Sequence, residues 1–303
     1  MLLWTCSTEY IFCEAFMKGI IYAILATISY SSTPTFTQLG YKGGIQTNTL
    51  LFSRHLVSLV FMLPVFLRKE SYTGLAKKHI PWILFLCLMT IFGNVTFNYA
   101  YHYLPNMVSI AVSISYVAFV FIFEMILGRE KFTRTRGLIS CLTLLGLLII
   151  ALPGFSGGLD MKAFAIGLVA ALQYSVQVLL INSKYLKEVP TEVILLTGII
   201  PIMIFSFVRC ILAGEPLLPS GTLQWISIIC LGTIGVIVAR GLFYKSVRLI
   251  GATKASMIDS LEPLSSAVLG FVLLDQGLSV YTVVGSALMI VSIILLLKEK
   301  SSK

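Results

Sequence analysis

MKGIIYAILATISYS, from Met17 to Ser31, returns as MKAFAIGLVAALQYS from Met161 to Ser175, an offset of 144 residues. Lys18 falls on Lys162, Ala26 on Ala170, Tyr30 on Tyr174 and Ser31 on Ser175. Each stretch opens an apolar run long enough to cross roughly 30 Å of hydrocarbon as a helix. The chain therefore reads as one bundle of membrane helices written twice.

Composition supports this outward from the repeat. Of 303 residues, 57% are hydrophobic and only 12% charged, with a mean hydropathy of +0.95. That is too little polar surface to cover a globule in water. The net charge of +9 comes without an aromatic-basic face or nucleic-acid motif, so nucleic acid is excluded as a partner. The six cysteines, Cys6, Cys13, Cys87, Cys141, Cys210 and Cys230, are scattered without metal-ligand or disulfide spacing and read as small apolar residues. No metal or other cofactor is expected.

Apolar runs predict ten spans, near 18–40, 45–67, 80–101, 105–127, 134–152, 160–182, 191–213, 222–244, 250–274 and 279–297. Turn residues separate them: Lys42-Gly43-Gly44, Leu104-Pro105-Asn106, Pro153-Gly154 with Gly157-Gly158, Glu215-Pro216 and Gly251. Residues 1–16 lack a basic start and a cleavage site, so they fit a signal peptide badly. They are expected to form an N-terminal extension that is disordered or not native, followed by repeats over 17–153 and 160–298.

Basic residues orient the bundle. With the N-terminus cytoplasmic, the inner connectors hold Arg68, Lys69, Lys77 and Lys78, then Arg129, Lys131, Arg134 and Arg136. Next come Lys184 and Lys187, then Lys245, Arg248 and Lys254, and finally Lys298, Lys300 and Lys303. Lys42 and Lys162 lie outside. Both termini are therefore expected in the cytoplasm, the second five-helix half is inverted relative to the first, and the class is an all-α integral membrane protein. Inverted repeats are a transporter device, with a site near the midplane between the halves.

Ionisable residues inside spans are the informative ones, because each costs several kcal/mol unless paired or wetted. Arg240, Asp259 and Glu262 fall at similar depth. Asp259 and Glu262 are three apart and share a helical face, so they can face one arginine, as a structural ion pair, or a substrate or coupling proton. Pro263 frees a backbone carbonyl at Asp259, as helix-breaking positions that line cavities do. Arg54, near the outer end of its span, either attracts an anionic group or snorkels to the headgroups. His55 and His102 read as an interfacial and a loop residue. Asn94 with Asn98, and Gln173 with Gln177, are four apart and share faces. Ser31 and its neighbours surround Pro34, a second helix break, and Tyr30 and Tyr174 sit at mid-depth. Together these groups can line one polar cavity.

The last third, ARGLFYKSVRLIGATKASMIDSLEPLSSAVLGFVLLDQGLSVYTVVGSALMIVSIILL from Ala239 to Leu297, resembles the closing segment of an EamA domain of the drug/metabolite transporter superfamily. The resemblance rests on a tyrosine-bearing helix end, a basic turn, Leu261-Glu262-Pro263, Asp275 at the next helix end and Gly285 in the last helix. The first half carries the paired version in Tyr99-Ala100-Tyr101, Leu104-Pro105 and Leu127 to Glu130. Departures are Tyr116 or Val117, where proline is common, and Ser29-Tyr30, where a tryptophan-glycine pair is common. The resemblance implies a ten-helix, two-repeat transporter of organic solutes. A secondary-active exporter or exchanger of an amino acid or related metabolite in a bacterial inner membrane is the preferred reading, because the mid-depth charges have both signs. Carriers of anionic metabolites or drugs, and an intramembrane enzyme, are the alternatives. No Walker, HExxH or GxGD motif is present. The partners expected are a small solute and lipid, with a homodimer left open.

Overall fold

Backbone in hydrocarbon must satisfy its own hydrogen bonds, which restricts a chain of this composition to helices. The computed structural model describes residues 2–67, 75–104, 106–129, 133–155, 160–274 and 279–298. Among them every regular element is helical: α1 Leu2–Lys42, α2 Thr47–Phe66, α3 Ile80–Tyr103, α4 Asn106–Ile114, α5 Tyr116–Ile126, α6 Arg134–Phe155, α7 Met161–Ile181, α8 Thr191–Ala213, α9 Thr222–Cys230, α10 Ala239–Ile250, α11 Ala252–Asp259, α12 Glu262–Leu274 and α13 Val280–Lys298. A π-helical stretch, Leu231–Val238, joins α9 to α10, and a short 3₁₀ turn, Lys77–His79, leads into α3.

Eight of these helical runs are long and apolar enough to cross a membrane, and Val280–Leu295 is a shorter apolar helix. With α11 and α12 as the remaining, broken span, the order matches ten crossings. Leu212, Ile126 and Val272 stand fully outward, as lipid-facing side chains do.

Three elements differ from the sequence reading. First, α1 begins well before Met17: Glu14 pairs with Lys18 at 2.6 Å, and Phe16 packs on the core beneath the Lys254 ammonium, 4.9 Å from its ring. No breaker precedes Met17, so the helix runs on through the expected extension. Second, the eighth span does not stop at Tyr244 but continues to Ile250, where Gly251 takes φ +87° and ends it. Third, the fourth and ninth spans are each broken. Ser115, whose hydroxyl donates to the Val112 carbonyl at 2.6 Å, separates α4 from α5. Ser260 and Leu261 separate α11 from α12, just before Pro263, which has no N–H for the Asp259 carbonyl. Ile114 and Asp259, the residues on which the two first segments end, are 145 residues apart, so the breaks are repeat mates.

The halves interlock at close backbone approaches. A Cβ on Gly146 would lie 2.6 Å from the Gly285 carbonyl oxygen and 2.7 Å from the Met289 side chain, so α6 and α13 touch backbone to backbone. Thr143 and Ser292 hydrogen-bond beside them at 2.8 Å. Ser58 donates to the Gly232 carbonyl at 2.8 Å, joining α2 to the π-helical stretch.

The two ends of the bundle are tied differently. At the end richer in Lys and Arg, here the basic face, Lys78 pairs with Glu188 at 2.7 Å and the His79 ring meets the Tyr185 carbonyl at 2.8 Å. Arg248 donates there to the Leu186 and Val189 carbonyls at 3.0 and 2.6 Å. At the opposite face the Glu215 carboxylate caps the start of α2, accepting from Asn48 Nδ2 at 2.6 Å and from two backbone N–H groups. Gln224 reaches the Gly43 carbonyl at 2.7 Å. Connector residues Arg68, Lys69, Pro105, Glu130, Lys131, Gly157, Gly158, Asp275, Lys300 and Lys303 lie outside the described residues.

Gly146→Val forces α6 off α13 and is expected to cost about 1–3 kcal/mol, as overpacking does. Thermal unfolding in detergent should fall by several degrees. Gly241→Ala, whose methyl would meet only Leu195 at 3.5 Å, should leave the midpoint unchanged.

Candidate functional site

Where the two broken spans face each other, helices from both repeats enclose a cavity of about 310 Å³. Its lining includes Tyr30 of α1, Asn94 of α3, Tyr116 of α5, Gln173, Tyr174 and Gln177 of α7, Arg240 of α10, and Asp259 and Glu262 at the second break. These are the mid-depth polar groups that sequence alone suggests for one cavity.

The charged groups are arranged differently from an ion pair. Among the described residues Arg240 has no carboxylate within 4.0 Å, and its guanidinium lies against Gly198, where a Cβ would approach Nη1 to 2.8 Å. Asp259 instead accepts from the Tyr116 hydroxyl at 2.7 Å, and the Thr27 hydroxyl lies 3.4 Å from its other oxygen. Asp259 and Glu262 do not share one continuous helix face, because Ser260 and Leu261 intervene, yet both line the cavity. Asp259 is buried, while Glu262 is only partly covered. One cation and two carboxylates thus line one space without neutralising each other.

Aromatic and amide groups complete the wall. The rings of Tyr116 and Tyr174 meet edge to face at 4.7 Å, and Tyr30 packs edge-on against Phe243 at 6.2 Å. Gln177 donates to Thr90 at 3.0 Å. Gly93 makes room for the Gln173 amide. Its Nε2 is buried without a hydrogen-bond partner among the described residues.

Four sequence candidates stand elsewhere. Ser31 is buried in the α1–α12 contact, its hydroxyl spent on the Ile28 carbonyl at 2.6 Å and its own carbonyl accepting from Ser266. Asn98 folds back on Asn94, donating to its carbonyl at 2.7 Å and its side chain at 2.9 Å. Arg54 is half-buried. Its Nε is buried without a hydrogen-bond partner among the described residues, and the guanidinium feels the charge of Arg240. Pro34 lies inside α1, one turn past Tyr30, whose carbonyl it leaves without an intrahelical donor. His55 is fully buried rather than interfacial.

Sequence reasoning passed over Thr90, Phe97, Tyr101, Ser113 and Tyr244, which also line the cavity. The helical spacing of Thr90, Phe97 and Tyr101 about Asn94 along α3 is the signal that could have found three of these wall positions.

The two ends of the cavity are lined differently. Phe97, Tyr101 and Ser113 line it on the side away from the basic face, and Tyr101 is exposed. Toward the basic face the space is filled by fully buried Ala23, Val120, Val178, Phe243 and Val247.

Fold and site together define a polytopic helical membrane protein with a charged central cavity. The chain belongs to the EamA-like transporter family, whose sequence profile matches residues 17–152 and 161–298, so it carries two EamA domains and is a transporter rather than an enzyme. A solved structure described only as a crystal structure of a protein has the same fold: TM-score 0.77 at 16% identity, covering 92% of this chain and 96% of that one. No curated protein matches.

A hydrophilic thiol reagent should modify a cysteine at Ser113 about tenfold or more faster than one at Val120, because only the wetted thiol ionises and reacts. Equal rates in a background free of the native cysteines would show that the cavity is not one-sided.

Proposed function

We propose that the chain is a secondary-active exporter or exchanger of a zwitterionic small solute such as an amino acid or related metabolite. The observation that carries this reading is the separation of charges: Arg240 and the carboxylates of Asp259 and Glu262 line the same cavity without pairing. A solute carboxylate placed on Arg240 and an ammonium on Glu262, with Asp259 behind it, supplies what each side lacks. Tyrosines and Phe97 leave room for a side chain. With both termini in the cytoplasm of a bacterial inner membrane, as the basic connectors favour, the side of the cavity away from the basic face points outward. A homodimer is not required by this site.

One observation favours a second reading. Arg54 adds a buried cation within electrostatic reach of Arg240, which suits a solute with more negative than positive charge.

Proteoliposome counterflow tests both. For a transported amino acid, Arg240→Gln and Glu262→Gln should each lower flux tenfold or more, since leaving a charge unpaired in a dry site costs roughly 2–5 kcal/mol. Amino-acid esters and N-acetyl derivatives should compete weakly. Equal competition by an anion lacking an amine would replace the zwitterion reading with the anionic one.

A further inference from the structure

The Tyr116–Asp259 hydrogen bond links the two broken spans and joins them at their breaks, with Ser256 of α11 also within reach of the same phenol. Tyr116 opens α5, which runs toward the basic face, and Asp259 ends α11, which comes from it. The bond therefore ties together the two half-helices that close the basic end of the cavity. Below it the wall is dry, with Val120 and Phe121 of α5 and Ala255, Met257 and Ile258 of α11 all buried.

Repeat symmetry shows that this link is one-sided. At the 145-residue offset of the breaks, Asp259 corresponds to Ile114 and Tyr116 to Leu261. Those two residues are the matching position toward the opposite face, and neither has a polar side chain. Ile114 lines the cavity, as its neighbour Ser113 and Glu262 also do. An inverted-repeat protein reaches its other state by exchanging the conformations of its halves. On this sequence that exchange trades a hydrogen-bonded closure for an apolar one.

We propose that Tyr116 and Asp259 form the clasp of the gate at the basic face, and that the two carboxylates at the break have different duties. Glu262, which makes no hydrogen bond among the described residues, is the one available to receive a solute ammonium. Asp259 is a positioning residue whose carboxylate holds Tyr116 until a bound cationic group competes for it. Competition for that carboxylate loosens α5 from α11 and opens the basic end. This assignment rests on the transport reading, but its test uses no solute and can fail while that reading stands.

The measurement is the modification rate of single cysteines at Val120 and at Ser113 in detergent, where both faces are wetted, on full-length protein free of native cysteines and eluting as a single peak. Tyr116→Phe keeps the ring and removes the donor. A net hydrogen bond to a charged group biases a two-state equilibrium by about tenfold or more, so the Val120 cysteine should react about tenfold faster while the Ser113 cysteine slows. Asp259→Ala should act in the same direction, and combining it with Tyr116→Phe should add little, as partners in one bond do. An unchanged rate at Val120, parallel increases at both positions, or fully additive effects would overturn the clasp.

Discussion

A carboxylate at mid-depth in a bilayer has no water to solvate it, and the bond from Tyr116 to Asp259 is how this protein meets that need without an arginine. At 2.7 Å the phenol satisfies one oxygen, and much of the architecture follows from bringing the two side chains together. For the phenol to reach, the fourth span must bend at Ser115; for the carboxylate to be presented, the ninth must break at Ser260 and Leu261. Irregular backbone survives at this depth only inside protein or along a cavity. The breaks accordingly lie at the centre, walled by α1, α3, α7 and α10, while the continuous α6 and α13 pack backbone to backbone at the periphery.

The same constraint explains why the cavity is lopsided in a molecule built from two similar halves. Both repeats supply a broken helix, a tyrosine at mid-depth in the first helix and an amide-bearing or polar third wall. Their sequences have diverged at the breaks, so one closure is polar and the other apolar. A hydrogen bond holds one geometry, whereas Ile114 and Leu261 pack in many. The described conformation keeps the hydrogen-bonded side shut, which is the arrangement in which no charged group loses a partner it has.

Much of this was legible from the sequence because membrane length and basic-residue placement are one-dimensional signals. The ten apolar runs, the offset of 144 and the shared depth of Arg240, Asp259 and Glu262 require only counting and a rise per residue. What counting could not give was rotation. Ser31 and Tyr30 are neighbours, yet Tyr30 lines the cavity and Ser31 packs on α12. Asn94 and Asn98 share a face, yet Asn98 spends its amide on Asn94. Tyr116 stood out in the sequence only as a departure from proline, and its role in holding Asp259 depends on a contact 143 residues away. The start of α1 differs for another reason: weighing residues 1–16 only as a signal peptide leaves out that no residue before Met17 stops the helix.

Arg240 shows most clearly why rotation escapes a linear reading. An α-helix continued from Thr222 would place it by the ordinary period, but eight residues from Leu231 to Val238 are π-helical. Bonds from i to i+5 put more residues in each turn, so every side chain beyond Val238 points in a different direction from the one a regular helix would assign. Gly232 and Gly235 make that wider turn compatible with neighbours, since a Cβ at either would press on Arg54 or Thr33 at 2.7 and 2.9 Å. Gly198 on α8 then leaves the space that the guanidinium occupies. An arginine rotated by one α-helical step would meet protein or lipid and would need a carboxylate to stay there. In its observed direction it meets the cavity, where water can hydrate it, and its charge remains available to a ligand.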